Sequence, residues 1–415
     1  MKRVVITGLG AITPIGKNVK QYWENLLKGI SGANKITRFD ASKFKTQFAC
    51  EIKDYDALDY FDRKEARKLD RFSQYGLISA EEAIKDANLD FSKLDTNRIG
   101  VIFSSGIGGF ETFEKEIIDY VNNNFKPRFN PFFIPKIISN GLSGIISINN
   151  GLRGVNYCPV TACASSTQSI IQSFNYIRLG KADIIIAGGS EAPITESSIG
   201  GFNAMKAMST NNENFSSASK PFDTNRDGFV VGEGAGALII ESLDSALKRN
   251  ANIYAEIVGG GESSDAYHIT GTHPEGLGAY LAMENGIKEA KITPNEIEYI
   301  NAHATSTGLG DLSEIKAIER LFKSSIEKVQ ISASKSMTGH LLGGTGAIEA
   351  ISTCLSVKTD LIPPTINTTE IDKNIPKELN LSLGETSSKK VNYALSNSFG
   401  FGGHCSAMIL KKYVG

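Results

Sequence analysis

Hydrophobic runs alternate along this chain with segments in which apolar side chains recur at helical spacing. Short runs such as 4–7 and 183–187 predict buried strands, and the apolar positions within 167–179 predict a helix. Strands that alternate with helices are typical of proteins whose sheets are covered by helices on their faces. We therefore predict an α/β fold.

The second part of the chain repeats the pattern of the first part. In each part a strand ends in a polar turn with one reactive residue, and small residues and a helix follow. The reactive residues are Cys163 and His340. No low-complexity linker separates the two parts. We predict two similar α/β halves, residues 1–250 and 251–415.

Composition narrows the class of protein. The 415 residues carry a net charge of −1, which gives no overall field that would favour nucleic acid or an anionic membrane. The five cysteines are an odd number without a C-x-x-C pair, so neither a disulfide framework nor a zinc ribbon is favoured. The first residues lead directly into a strand without a secretory signal, and no apolar run of about 20 residues occurs. We expect a cytoplasmic protein that does not span a membrane.

Cys163 lies in the segment Pro159-Val-Thr-Ala-Cys-Ala-Ser-Ser-Thr167, where a helix is predicted to begin. The positive end of a helix dipole favours a thiolate and predicts a lowered thiol pKa. Small neighbours would leave room for a carbonyl group to approach the sulfur. An isolated cysteine at such a junction is more often a buried structural residue, so its partners decide between the two interpretations.

Two histidines lie in short signatures that resemble each other in layout. His303 lies in Asn301–Thr307 and His340 lies in Ser334–Leu341, each at the end of a predicted strand. One cysteine and two imidazoles could form a thiolate site in which the imidazoles donate hydrogen bonds to an oxyanion. Spacing along the sequence does not establish that they converge, and each histidine could instead be a loop residue.

A basic stretch occupies residues 62–71. We predict a helix here that continues to residue 87 and carries Lys64, Arg67, Lys68 and Arg71 on one broad face. Such a face is either a solvated surface or a docking surface for an acidic partner. Residues 122–135 are rich in Asn, Phe and Pro and predict a structured loop, because their phenylalanines need a partner surface.

Four ordered motifs carry a resemblance to a known family. They are the segments Thr161–Ser165, Asn301–Thr307, Ser334–Leu341 and Asn397–Gly403. Together they resemble the β-ketoacyl-[acyl-carrier-protein] synthases of the type II elongating class over essentially the whole chain, and Ser336–Leu341 favours the class II synthases. The resemblance implies a thiolase-like fold, two similar α/β halves in five layers (α-β-α-β-α), and a homodimer.

The resemblance also implies roles for individual residues. Cys163 would be the acyl-accepting nucleophile, and His303 and His340 would assist decarboxylation. The amides of Cys163 and Phe401 would form the oxyanion hole, Phe401 would gate the acyl pocket, and Lys335 would be a structural lysine paired with Asp311 or Glu349. Residues implied to contact the substrate, with Phe133 in the same or the partner subunit, are Ile107, Phe133, Thr305, Thr307, Phe399 and Gly400. Residues implied to dock acyl carrier protein are Lys64, Arg67, Lys68, Lys126, Arg128 and Lys206.

The implied reaction is the condensation of acyl-acyl carrier protein with malonyl-acyl carrier protein to give 3-oxoacyl-acyl carrier protein, CO₂ and free carrier protein. This is the elongating step of type II fatty acid biosynthesis, and it needs no metal or organic cofactor. A ketosynthase of a specialised polyene or polyketide pathway would share every motif. A non-catalytic chain-length-factor-like subunit would lack the nucleophile, and the histidine pair disfavours thiolases and coenzyme A-primed initiating synthases.

Three segments depart from the family pattern, and one of them is Gly343-Gly-Thr345, where the helix start after His340 is looser than usual. Ala304 replaces a glycine, and an alanine would strain a backbone with positive φ. His404 follows the glycine loop where Thr is more frequent, and the resemblance gives it no role.

Overall fold

A computed structural model describes residues 1–415, apart from the side chain of residue 324. The strands are β1 (Val4–Ile12), β2 (Asn34–Lys35), β3 (Phe48–Ala49), β4 (Ile99–Ser104), β5 (Asn156–Tyr157), β6 (Ile184–Glu191), β7 (Gly234–Ser242), β8 (Ala255–Ser264), β9 (Tyr299–Asn301), β10 (Gln330–Ser332), β11 (Leu361–Ile362), β12 (Asn380–Leu381), β13 (Ser387–Ser388), β14 (Tyr393–Gly400) and β15 (His404–Lys411). The α-helices are α1 (Val19–Leu27), α2 (Arg63–Ala66), α3 (Arg71–Asp86), α4 (Phe110–Asn122), α5 (Phe133–Ile137), α6 (Gly141–Asn150), α7 (Ser165–Arg178), α8 (Glu196–Ala204), α9 (Leu243–Lys248), α10 (Leu277–Ala290), α11 (Gly308–Phe322), α12 (Lys335–Thr338) and α13 (Thr345–Thr359).

Eleven strands form one continuous sheet in the order β12-β10-β9-β14-β15-β8-β1-β7-β6-β4-β5. Outward from β1, two antiparallel neighbours (β7, β6) are followed by two parallel ones (β4, β5). Outward from β8, β15 and β14 are antiparallel neighbours, and β9 and β10 follow in parallel. The same strand order therefore occurs on both sides of the β1–β8 seam, which is only three residue pairs long (Val4↔Ile257 to Ile6↔Ala255).

Helices cover both faces of each half of the sheet. The central core cluster joins α7 and α13 to strands of both halves, through residues such as Ile170, Ile348, Ile185 and Met408. A second cluster packs α3 and α6 on the outer face of the first half, and a third packs α10 and α11 on the outer face of the second. The predicted α/β fold in five layers is confirmed.

The two central helices approach each other closely at Gly346. A Cβ atom there would lie 2.1 Å from Thr167 Oγ1, which no side chain could tolerate. The Ala347 amide also donates a hydrogen bond to Ser166 Oγ across the same contact. This contact fixes the amino-terminal end of α7 against that of α13.

The basic stretch departs from its prediction. Instead of one helix to residue 87, α2 ends at Ala66 and α3 begins at Arg71, because Asp62 and Asp70 each cap a separate helix by accepting backbone N–H bonds. Strands flanking the glycine loop are longer than predicted, since β14 runs to Gly400 and β15 begins at His404. Among the described residues, no helix is long and apolar enough to cross a membrane.

Candidate active site

Cys163 lies in a single 3₁₀ turn, residues 162–164, directly before α7. Ala162 has a positive φ of 50°, so the backbone turns sharply as it enters this segment. The side chain of Cys163 is almost fully buried, with 7% of its surface exposed. The predicted helix-start position of the cysteine is therefore correct.

The thiol pKa differs from the sequence-based expectation. Burial raises the pKa of Cys163 to about 12, and this outweighs Lys335 and the backbone amides of Phe401 and Cys163, which lower it. The predicted lowering by the helix dipole is thus wrong for the resting thiol. Any stable thiolate here depends on hydrogen bonds donated to the sulfur.

His340 supplies the closest such contact. Its Nε2 lies 3.0 Å from Cys163 Sγ, and its Nδ1 lies 3.0 Å from Thr345 Oγ1. The His340 backbone is held by strand-like bonding to Val231 and its neighbours. The imidazole is therefore anchored at both ring nitrogens.

His303 approaches the sulfur region from the end of β9. Glu314 on α11 accepts backbone N–H bonds from His303 and Ala304, at 2.9 and 2.8 Å. Ala304 is not among the residues with positive φ, so the departure from glycine causes no backbone strain. The His303 ring lies edge to face against Phe399, with ring centroids 5.5 Å apart.

Both imidazoles are held in the neutral form. Burial lowers the pKa of His303 well below its usual range, with further lowering by Lys335 and His340. Burial and Lys335 do the same to the pKa of His340. Each ring therefore has one N–H to donate, which fits the predicted role of the pair.

Lys335 is buried with 1% of its surface exposed, and its Nζ lies 2.6 Å from Glu349 Oε1. Of the two partners suggested by the resemblance, the structure selects Glu349. Asp311 instead lies 3.4 Å from Arg226 and accepts backbone N–H bonds from Ser306 and Phe222.

The glycine loop closes over the cysteine. A Cβ atom at Gly400 would lie 2.5 Å from Thr161 O and 3.0 Å from Cys163 N, so only glycine allows this approach. Phe401 follows immediately. The backbone amides of Phe401 and Cys163 both lower the pKa of the Cys163 thiol, so both lie close to the sulfur.

A cavity of about 700 Å³ connects these groups to the surface. Predicted site residues that line it are Cys163, His303, His340, Phe401, Ile107, Thr305, Thr307, Phe399, Gly400 and Lys206. Lys335 lies behind the histidines, outside the lining. Phe133 lies elsewhere within one chain, where its ring stacks on Phe113 and Phe129.

The predicted docking residues are solvent-exposed. Lys64, Arg67, Lys68, Lys126, Arg128 and Lys206 all have exposed side chains. Arg71 is different, because its side chain points toward α4 and forms a bidentate ion pair with Glu111. Lys68 Nζ lies 5.7 Å from the Phe132 ring, which puts the turn after α2 beside the segment that follows α4.

Metal-binding chemistry is limited in the part of the chain that the structure describes. No group of three or more His, Cys, Asp or Glu residues there could hold a metal ion. However, buried oxygens of Asn301, Glu349, Ser396 and Asn397 have no hydrogen-bond partner among the described residues. Such hard oxygen donors suit a hard cation rather than zinc.

Three site residues lie outside the sequence prediction. Glu314 and Thr345 hold the two histidine segments, as described above. Glu191 is fully buried, and it accepts hydrogen bonds from Ser105 Oγ and from the amides of Gly106, Ile107 and Gly343. The acid at the end of the strand sequence Gly188-Gly-Ser-Glu191 was a signal from which Glu191 could have been identified. Thr345, at the start of a helix, offered no such signal.

Comparison with protein families gives two matches along the chain. A family model described as the β-ketoacyl synthase N-terminal domain matches residues 1–246. A second model, described as the β-ketoacyl synthase C-terminal domain, matches residues 254–369. The two models together cover most of the chain.

Individual relatives are similar over their whole length. A curated 3-oxoacyl-[acyl-carrier-protein] synthase 2 from Staphylococcus aureus (strain COL) is 48% identical over 415 residues, covering 99% of each chain. One of the same name from Synechocystis sp. is 45% identical over 412 residues, covering 99% of this chain and 98% of that one. A solved ketosynthase bound to a hexaketide, in complex with its type II PKS acyl carrier protein, matches with a TM-score of 0.92 at 32% identity, covering 99% of this chain and all of that one.

Proposed function

The chain belongs to the β-ketoacyl synthase family, and on this basis we propose that it condenses acyl- and malonyl-acyl carrier protein into 3-oxoacyl-acyl carrier protein. It is a condensing acyltransferase of the elongating kind used in type II fatty acid biosynthesis. The resemblance predicted from four motifs is confirmed, as is the thiolase-like fold. The observation that carries the reaction is the convergence of Cys163, His303 and His340 on one cavity.

The first half-reaction transfers the acyl group to Cys163. The Cys163 thiol gives up its proton to solvent, and the thiolate attacks the acyl thioester carbonyl. The amides of Cys163 and Phe401 hold the negative oxygen of the tetrahedral intermediate. Collapse breaks the bond to the carrier thiol, which leaves as a thiolate and takes a proton from solvent. The acyl group stays on the sulfur, and the small residues after Cys163 leave its carbonyl accessible.

The second half-reaction uses the histidine pair. Malonyl-acyl carrier protein loses CO₂, and the electron pair of the broken bond forms an enolate whose oxygen accepts N–H bonds from His303 and His340. The carbanion then attacks the acyl-Cys163 thioester, and the Cys163 thiolate leaves. Neutral imidazoles suit this role because they donate hydrogen bonds without protonating the carbanion.

Residues around the cavity have supporting roles in the proposal. Thr305 and Thr307, whose hydroxyls lie 3.1 Å apart, are suited to bind the pantetheine arm. Ile107 and Phe401 are suited to line and gate the acyl pocket, and Phe133 is assigned to that pocket from the partner subunit. Lys335, paired with Glu349, stabilises the site from behind, and Asp311 fixes the turn that carries Thr305 and Thr307 through its bond to Ser306.

Acyl carrier protein is the proposed partner. The net charge of −1 gives little overall attraction, so binding must come from a local basic surface. Lys206 lines the cavity, and the side chains of Lys64, Arg67 and Lys68 are exposed, so both groups are available to an acidic partner. The solved ketosynthase complex described above supports the same class of partner.

We also propose a homodimer. Helix α4 leaves Phe113, Ile118 and Val121 each at least 45% exposed, and its aromatic neighbours continue this apolar face. Strand β5 lies at one end of the sheet and offers a free edge. An exposed apolar helix face and an open strand edge are both typical of an interface between copies.

The proposed catalytic residues are divided between the two proposed halves. Residues 1–250 supply Cys163, and residues 251–415 supply His303, His340, Lys335 and the glycine loop. The proposed compartment is the cytoplasm, which suits the five cysteines, all of them free thiols.

A specialised polyene or polyketide ketosynthase remains the second candidate, favoured by the structural match to a polyketide ketosynthase. The deciding experiment gives the purified protein malonyl-acyl carrier protein with saturated acyl-acyl carrier proteins of several lengths, and mass spectrometry follows the products. Conversion of saturated chains to 3-oxoacyl products with CO₂ release is the expected result. Turnover of polyene or polyketide acyl groups alone would favour the second candidate.

A further inference from the structure

We propose that the Thr345 hydroxyl is a positioning group that holds His340 with its proton on Nε2. The part of the inference that concerns catalysis rests on the function proposed above. The part that concerns the tautomer rests on this chain's geometry alone.

Thr345 is the first residue of α13 and is fully buried. Its Oγ1 lies 3.0 Å from His340 Nδ1, and this is the hydrogen bond that the structure gives to the hydroxyl. Close packing fixes both partners, because Gly346 presses against Thr167 and the Phe229 ring lies edge to face against His340. The distance between hydroxyl and ring is thus set by the packing of α13.

The number of hydrogen-bond donors on the two side chains decides where the protons lie. A neutral imidazole has one N–H and one bare nitrogen, and a threonine hydroxyl has one proton to donate. A buried hydroxyl proton without an acceptor is costly, and His340 Nδ1 is the acceptor within reach. If Thr345 donates to Nδ1, the ring proton must be on Nε2.

This tautomer points the N–H at the reacting atoms. Nε2 lies 3.0 Å from Cys163 Sγ, so an N–H there donates to the sulfur and favours its thiolate form. When malonyl-acyl carrier protein occupies the site, the same N–H is the donor for the enolate oxygen. With the proton on Nδ1, Nε2 could only accept, and neither anion would be stabilised.

The first test measures alkylation of Cys163 by iodoacetamide as a function of pH, read at the Cys163 peptide by mass spectrometry. Thr345→Val keeps the shape of the side chain and removes the hydroxyl. We expect alkylation near neutral pH to slow about tenfold, the size expected for one lost buried hydrogen bond, and the pH profile to move upward. Thr345→Ser should restore both toward wild type.

Two controls accompany this test. Alkylation of Cys158, which is half-buried, is measured in the same digest and reports on general changes in cysteine reactivity. Thr359→Val makes the same substitution at the far end of α13, where the hydroxyl bonds to Leu355 O, and should leave the Cys163 profile unchanged. An unshifted profile in folded Thr345→Val, or a failure of Thr345→Ser to restore it, would overturn the proposal.

A second test reads the tautomer directly. In protein labelled with ¹⁵N-histidine, the His340 signals are those lost in His340→Ala, and they should report a protonated Nε2 and a bare Nδ1. A proton on Nδ1 in the wild type overturns the inference even if every Thr345 variant misfolds.

Release of CO₂ from malonyl-acyl carrier protein should also fall about tenfold in Thr345→Val. If the wild type releases no CO₂ at all, the proposed function fails while the alkylation and tautomer tests still decide the inference.

Discussion

The imidazole rings of His303 and His340 meet edge to face, with centroids 5.4 Å apart at 85°. Each is buried, and Lys335 behind them disfavours a positive charge on either ring. The two rings come from different turns and address the reacting centre from two directions. In the proposed mechanism they act as a pair of neutral hydrogen-bond donors, and we expect separable effects when either is removed.

The first prediction concerns the nucleophile. Cys163→Ala should abolish condensation and acyl-enzyme formation, because Cys163 is the cysteine whose sulfur contacts His340, whereas Cys405, which also lines the cavity, bonds to Gly403 O. Mass measurement after incubation with acyl-acyl carrier protein checks this. Acylation of the mutant at any residue would remove Cys163 from the mechanism.

The second prediction separates the histidines from the cysteine. His303→Ala and His340→Ala should each retain self-acylation while losing about 10²–10³-fold in CO₂ release from malonyl-acyl carrier protein, the loss expected for one donor to an oxyanion. The residual acylation should be lower in His340→Ala, since His340 contacts the sulfur. Normal decarboxylation in either variant would contradict its role.

The third prediction concerns stability against pH. The pKa of His303 is lowered in the folded state, so its contribution is present above the unfolded pKa of about 6.5 and is lost as the pH falls. When the pH falls from 7 to 5.5, the unfolding free energy of the wild type should decrease by roughly 1 kcal/mol more than that of His303→Gln. Denaturant unfolding at the two values checks this.

His404→Gln is the matched control for that measurement, because the His404 side chain is exposed. Its pH dependence should follow the wild type. Parallel curves for the wild type and His303→Gln would mean that His303 is not held neutral by burial.

The fourth prediction concerns the gate. Gly402 and Gly403, which follow Phe401, both have positive φ, and only glycine takes such backbone freely. Phe401→Ala should slow acyl transfer severalfold and alter the acyl lengths that are accepted, as measured with a series of acyl-acyl carrier proteins. An unchanged rate and length profile would count against gating.

The fifth prediction concerns docking. Lys64→Glu, Arg67→Glu and Lys68→Glu together should raise the KM for carrier-bound acyl groups roughly tenfold, since each exposed pair contributes about 0–1 kcal/mol. The effect should weaken at high salt. Reaction with a small pantetheine thioester should be unchanged.

Glutamate substitutions at Lys20, Lys28 and Lys377 together control for the change in net charge. These three lysines are exposed and lie outside the proposed docking surface. This control variant should leave both substrates unaffected. Equal losses on carrier-bound and small substrates in the α2 variant would indicate damage to the site rather than to docking.

Local patterns were sufficient for the strands and helices that frame the site. Apolar runs predicted β1 and β6, and the helical spacing of Ile170 and Phe174 predicted α7. The basic stretch misled because Asp70 looked like one more polar residue of a helix, whereas its carboxylate caps α3 and also binds Thr112. The cap is a local bond to the Phe72 amide that the apolar spacing alone does not reveal, and the bond to Thr112 is made only in the folded chain.

The nucleophile and the histidines were identifiable because each lies in a distinctive segment. The residues that hold the histidines were not identifiable, because Glu314 and Thr345 act through hydrogen bonds made only in the folded chain. The prediction of the Cys163 thiol pKa was wrong for the same reason. The helix dipole is a local property, but the burial that outweighs it comes from packing of both halves around Cys163.

The short seam between β1 and β8 has a consequence for how the catalytic distances are maintained. Cys163 belongs to one side of the seam and both imidazoles to the other, so a rotation of one side against the other would change the distance between them. The seam itself has only three residue pairs, so resistance to that rotation comes from the central core cluster around α7 and α13, which includes the close contact of Gly346 with Thr167. The distance from His340 to Cys163 therefore depends on how these two helices pack against each other.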